Sequence, residues 1–185
     1  MKKLLYLALF LICIACKAQT VAFNTSLDDI PDGAYVKDLN NELDPFIGEY
    51  KVTYEGRETT LFISKVSQKP IAYGNKNYFQ DVLIVKFIVK NFSGTVLQDT
   101  QNIATTTNEI ESITFIPQIQ SLGFSYSGNN CSIGNGLIYM KKISPTQISW
   151  TYNPQTTAID DVSCPPNVDK KIYLPDTKDL IFTKQ

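Results

Sequence analysis

Histidine is missing from all 185 residues of this chain. That removes every catalytic scheme built on an imidazole base, and with it the commonest metal ligand. Charge of either sign is sparse: 17 Lys and Arg stand against 18 Asp and Glu, for a net charge of −1. No basic stripe crosses the chain, which argues against a nucleic-acid partner. Past the N-terminus, no apolar run approaches the about 20 residues that a membrane-spanning helix needs. No Gly-x-Ser-x-Gly elbow occurs. Gly128-Asn129-Asn130 and Gly134-Asn135-Gly136 lack the Lys-Ser/Thr and the helix of a phosphate cradle, and suit tight turns instead. Repeats, low-complexity tracts and linkers are absent too, so the sequence describes one domain.

Carboxylates are present, in pairs at Asp28-Asp29, Glu109/Glu111 and Asp160-Asp161. A glycosidase needs two of them across a cleft, whereas these sit in polar loops or at strand ends and fit solvated surface. No regularly spaced oxygen ligands surround Asp160-Asp161, as a calcium loop requires. The sequence points to no catalytic residue, no metal site and no cofactor, and hence to a non-enzymatic protein.

What the chain does have begins at Met1. Lys2 and Lys3 precede an uncharged apolar run from Leu4 to Ala15, followed by Cys16 and the polar Lys17-Ala18-Gln19. A basic end, a short apolar segment and a small residue before a cut are the parts of a secretory signal. Ala15-Cys16 fits a bacterial lipoprotein boundary, in which residues 1–15 are removed and Cys16 is acylated. Cys13, at the third position before the cut, is untidy for that site. Ordinary cleavage after Ala18, leaving Gln19 first, is the alternative. Acyl chains contribute about 0.8 kcal/mol per buried methylene, so an acylated Cys16 would hold the protein on a membrane. Lys17, rather than Asp, follows the cysteine and favours the outer membrane; a secreted or periplasmic location is the alternative. Losing Lys2 and Lys3 leaves the mature chain weakly acidic.

The two later cysteines, Cys131 and Cys164, both lie in turn-like sequence. In an oxidising envelope such a pair implies a structural disulfide, worth roughly 3–4 kcal/mol in the chain-entropy model.

Residues 16–45 form an irregular arm rich in Asp, Asn, Pro and Gly, with a weak helical signal over 34–43. From Phe46 onward, period-two alternation dominates. It predicts strands over 48–56, 58–66, 78–90, 95–100, 111–116, 122–127, 170–174 and 179–184, with a polar loop over 67–77. The clearest hairpin joins 136–143 to 147–152 through Ser144-Pro145-Thr146. Residues 78–90 are apolar on both faces, as a covered central strand would be. The whole predicts an all-β domain over 46–185: a single antiparallel barrel of about 8–10 strands, because closure removes exposed edges. A two-sheet sandwich is the alternative.

Aromatics are the remaining lead. Tyr50, Tyr54, Phe124, Tyr126, Trp150 and Tyr152 fall on alternating faces of the predicted strands. They would either build a solid core or line a cavity for a small apolar ligand.

Several stretches carry a resemblance: Cys16-Lys17-Ala18-Gln19, residues 39–48 (Leu-Asn-Asn-Glu-Leu-Asp-Pro-Phe-Ile-Gly), residues 94–102, Cys164-Pro165-Pro166-Asn167 and residues 172–184. Together they resemble a family of small envelope proteins of unknown function from flavobacteria and their relatives. That resemblance runs along nearly the whole chain and brings no catalytic or binding residue with it. Asp44-Pro45-Phe46-Ile47-Gly48-Glu49-Tyr50 is also loosely similar to the first strand of lipocalin-like barrels, with Tyr50 where a tryptophan is usual. The resulting expectation is a lipid-anchored envelope protein that binds a small apolar molecule in or on its barrel. The rival is a structural or interaction protein with a solid core and a protein partner in the envelope.

Overall fold

Side chains that alternate between apolar and polar every second residue put one face of a strand in a core and the other in water. In the computed structural model, which describes residues 19–103, 109–155 and 164–185, that alternation produces eleven strands in one sheet. They are β1 (Thr20–Ala22), β2 (Tyr35–Lys37), β3 (Gly48–Tyr54), β4 (Arg57–Tyr73), β5 (Lys76–Asn91) and β6 (Val96–Asp99). There follow β7 (Ile110–Ile116), β8 (Ser121–Tyr126), β9 (Gly136–Ser144), β10 (Gln147–Pro154) and β11 (Leu180–Lys184). Eight of these, β3–β5 and β7–β11, run up and down between sequence neighbours. Antiparallel pairing of β11 with β3 and of β7 with β5 closes the ring. The fold is an up-and-down antiparallel barrel, not a sandwich.

β5 is the hub because its central residues are apolar on both faces. Val82, Leu83, Val85, Phe87 and Val89 are fully buried. One edge pairs with β4 along the strand. The other edge is shared: Phe79 and Gln80 with β2, Ile84 and Val85 with β7, and Ile88–Lys90 with β6. β1 continues the sheet beyond β2, and both of these pairings are parallel.

Three expectations needed correction. The loop predicted over 67–77 is strand: β4 and β5 run on to a two-residue Gly74-Asn75 turn in which Gly74 has φ 60°. A bulge at Ser67-Gln68 absorbs the register shift, and the Gln68 N–H donates to Asp81 Oδ1 at 3.2 Å. Pro70 is tolerated because β3 pairs only with residues 57–63 of β4, so its missing N–H breaks no ladder bond on that side. Residues 170–174, predicted as a strand, form an irregular strap across the barrel mouth. There Asp169 accepts hydrogen bonds from Lys171 N–H and the Tyr173 hydroxyl, local bonds that compete with a ladder. Finally, the helical signal over 34–43 gives no helix. The Asp38 carboxylate takes the N–H groups of Glu42 and Leu43, and the chain before it enters the sheet as β2.

The arm is nonetheless part of the core. Phe23, Ile30, Ala34, Val36 and Leu43 are buried in one cluster with Phe46 and the barrel interior. At the opposite mouth Cys131 and Cys164 are joined as a disulfide, with Cα atoms 5.5 Å apart. Gly128 permits the turn that carries Cys131. Its φ is 87°, and a Cβ there would come within 2.5 Å of the Ser132 backbone.

Candidate functional site

Strand polarity divides the barrel into two ends. Turns β4–β5, β7–β8 and β9–β10 share one end with the start of β3 and the arm; we call it the arm end. The β3–β4 turn, the connection from β8 to β9 and the strap before β11 lie at the other, the loop end.

Of the six candidate aromatics, five build the interior. Trp150 meets Tyr152 and Phe182 with ring centroids 6.1 and 5.6 Å apart, and its indole N–H donates to Pro175 O at 3.0 Å. Tyr126 bridges Phe87 and Tyr152 edge-on at 6.2 and 6.1 Å, and Phe124 is fully buried beside them. The Tyr152 hydroxyl donates to Gly134 O. Burial pushes the Tyr126 phenol up to about 12 and raises that of Tyr152 as well. Tyr50 seals the arm end. Its hydroxyl donates to Pro45 O at 3.3 Å and accepts from Lys142 Nζ at 3.1 Å. The ammonium groups of Lys142 and Lys184 stand 5.3 and 5.7 Å from its ring centroid. Burial, then the charge of Lys184, lowers the Lys142 pKa. Tyr54 alone is half-exposed, at the loop end.

Sequence reasoning missed a polar centre beneath the arm. Asp81 Oδ1 accepts from the Tyr35 hydroxyl at 2.6 Å, and its Oδ2 from Asp38 N–H at 3.1 Å. Lys65 Nζ reaches Asp38 Oδ2 at 2.7 Å and Asp44 Oδ1 at 2.8 Å. The Asp38 side chain has no solvent exposure. Burial, then the hydrogen bond to Asp81, pushes the Tyr35 phenol up to about 12. Burial pulls Lys65 down, but its bonds to Asp38 and Asp44 prevail and hold its pKa above the ordinary lysine value. Every member has a partner inside the cluster, so the centre acts as a lock joining arm to barrel. One signal was visible beforehand: Asp81 heads the most apolar of the predicted strands, where a carboxylate needs partners.

Of the paired carboxylates, Asp28 and Asp29 are exposed, as expected of solvated surface, whereas Glu109 and Glu111 are not. Lys69 Nζ bridges Glu111 at 2.6 Å and Glu109 at 3.3 Å, with the two acidic side chains only 25% and 12% exposed. The backbone carbonyl of Asp28 accepts from Lys76 Nζ. Asp160-Asp161 and Cys16 lie outside the described residues. Among the described residues no group of three His, Cys, Asp or Glu is arranged to hold a metal.

At the loop end a cleft of about 200 Å³ opens between the β3–β4 turn and the strap, lined by Tyr54, Glu55, Arg57, Tyr173 and Asp176 among others. Arg57 Nη1 lies 3.4 Å from both Ile172 O and Tyr173 O. Arg57 is the chain's single arginine, and that rarity was the signal the sequence offered.

Fold and sites together define a small up-and-down barrel whose interior is filled with rings, locked by ion pairs at one end and by a disulfide at the other. The chain belongs to a family of unknown function (DUF6705), whose model matches residues 1–185. No curated protein and no solved structure matches it.

Proposed function

We propose that this is an exported, non-enzymatic envelope lipoprotein, tethered through Cys16, that presents the loop end of a solid barrel to a protein partner in the envelope. The placement of Gln19 carries the reading. β1 runs parallel to β2, and β2 parallel to β5, which starts at the arm end. The described chain thus emerges at that end. Only Lys17-Ala18-Gln19 separates Cys16 from β1, a reach of at most about 11 Å. An acylated Cys16 would therefore seat the arm end on the bilayer and turn the loop end, with its strap and disulfide, away from it. Lys17 after the cysteine supports the outer membrane. The missing histidine supports a role without catalysis.

The interacting-protein reading gains over a ligand-filled barrel because the interior rings touch one another. A small apolar ligand retains one argument, a groove of about 270 Å³ outside the ring core, lined by Phe23, Leu27, Ile30, Val36, Tyr78 and Ile113 among others.

The test is intact mass and detergent partitioning of protein taken from its own envelope. We expect an acylated N-terminus at Cys16, and release into the aqueous phase for Cys16→Ala. A mature chain starting at Gln19 would overturn the anchor. Native mass spectrometry of the same material decides the rest: a second polypeptide supports the reading, and a bound small molecule with no partner overturns it.

A further inference from the structure

The geometry points to a binding site for a small zwitterion, of the α-amino acid type, in the loop-end cleft, with Arg57 taking the carboxylate and Asp176 and Glu55 facing the ammonium. This goes beyond the anchoring reading and does not depend on it.

Arginine is the residue whose planar fork matches a carboxylate, and this chain uses it once among 185 residues, with lysine everywhere else. Its position is fixed by the fold. Tyr54 and Arg57 form the last pair of the β3–β4 ladder, joined by a tight turn in which Glu55 and Gly56 have φ of 47° and 72°. The Arg57 backbone is thus set in the strand ladder at the edge of the cleft, rather than in a loop.

Its bonding is incomplete. Both contacts of Nη1 are long, at 3.4 Å, against about 2.9 Å for a typical N–H···O bond. Nη2 and Nε donate to nothing among the described residues, and no described carboxylate lies within ion-pair distance of the group. Yet Glu55 and Asp176 line the same small cleft. Cation and anions thus stand around one cavity without pairing across it. That arrangement suits a guest with both charges: a carboxylate completes the fork and an ammonium meets the acids.

The far wall is held in place. Asp169 Oδ2 accepts from the Tyr173 hydroxyl at 2.6 Å. Leu174 is buried, and Pro175 O accepts from Trp150. The cleft is therefore preformed, which lowers the ordering cost of binding. About 200 Å³ admits a small amino acid but little beyond it.

The experiment is an amide-shift titration of the mature protein with glycine, alanine and serine, each also as its C-terminal amide and its N-acetyl form. A site with one fork contact should bind in the millimolar range, so titration to about 50 mM suffices. We expect the free amino acids to move the resonances of Thr59, Tyr173 and Asp176, and each blocked form to bind at least about tenfold more weakly. Arg57→Gln should abolish the shifts while the spectrum of β7–β10 stays unchanged, and Arg57→Lys should recover only part of them. No shift at the highest concentration overturns the site. Equal binding of the amides overturns the role of Arg57, as does Arg57→Gln binding like wild type. Equal binding by the N-acetyl forms overturns the zwitterion and leaves a plain carboxylate site. Since none of these readings involves Cys16, failure here is distinct from failure of the anchor.

Discussion

The two ends of the barrel are closed by opposite chemistry. At the arm end, apolar side chains are buried too, but the distinguishing closure is ionic: Asp38, Asp81, Lys65, Asp44 and Tyr35 join residues 35–44 to β4 and β5. At the loop end it is apolar and covalent: Trp150 carries the strap on its indole, and Cys131–Cys164 ties the strap to the β8–β9 connection. Desolvated charges lose much of their value when one partner is removed. A ring loses its contact area whatever the solution conditions. The ends should therefore fail under different insults.

Removing the loop-end ring gives the largest effect. Trp150→Ala takes away a fully buried side chain, its contacts with Tyr152 and Phe182 and the donor to Pro175 O. We expect a loss of about 3–5 kcal/mol in denaturant unfolding. Hydrogen exchange should accelerate first in residues 164–180, and a uniform acceleration at both ends would blur the distinction.

Cutting the covalent tie comes next. Cys131→Ser with Cys164→Ser opens a crosslink spanning 33 residues, worth about 3–4 kcal/mol in the chain-entropy model. Wild type under reducing conditions should match the double variant in melting temperature. The arm should keep its exchange protection in both; losing it would mean the ends are one cooperative unit.

The ionic lock follows, at about 3 kcal/mol, when Lys65→Met leaves Asp38 buried without its cation. Alkali should reproduce part of this. Lys65 has a pKa raised in the fold, and Tyr35 and Tyr126 are each raised to about 12. For all three the folded state holds its proton more tightly. Their stabilisation is complete below the unfolded pKa, about 10 for the phenols and slightly higher for lysine. It is then lost as pH climbs toward 12. Both ends contribute to this alkaline loss, and Tyr126→Phe removes only part of the loop-end share, to which the raised Tyr152 phenol also contributes. If unfolding against pH, followed by tyrosinate absorbance and circular dichroism, were unchanged in both Tyr126→Phe and Lys65→Met, the contrast would not stand.

How much of this could be seen beforehand follows the same division. Tyr50, Phe124, Tyr126, Trp150 and Tyr152 were visible as ring positions because alternation is local, and hairpin β9–β10 because its strands are joined by the short turn Pro145-Thr146. Cys131 and Cys164 announced each other by number alone. The lock was illegible because its members are distant: Lys65 lies 27 residues from Asp38, and Asp81 43 from it. No local pattern marks such a pair. The β4–β5 extension was hidden because Ser67-Gln68 and Pro70 read as loop. Only the free β4 edge and the Asp81 carboxylate turn that stretch into a bulged strand. The Arg57 cleft needed the strap, whose path is set by Asp169 and Trp150 rather than by periodicity.

The smallest effect tests whether ionic closure extends beyond the arm. Lys69 spans from β4 to Glu111 on β7 and to Glu109 just before it, across the place where β7 leaves β5. Burial lowers the Lys69 pKa, but Glu111 and then Glu109 outweigh it and raise it overall. The groups are a quarter exposed or less, so the bridge sits between a surface pair and a buried one. Lys69→Ala should cost about 1 kcal/mol, and the cost should shrink in high salt as screening weakens the wild-type bridge. The Lys65→Met cost should hardly change with salt, because Asp38 is sealed from solvent. Equal salt dependence for the two variants would place both clusters in the same solvated class and leave the disulfide and rings as the only closure that matters.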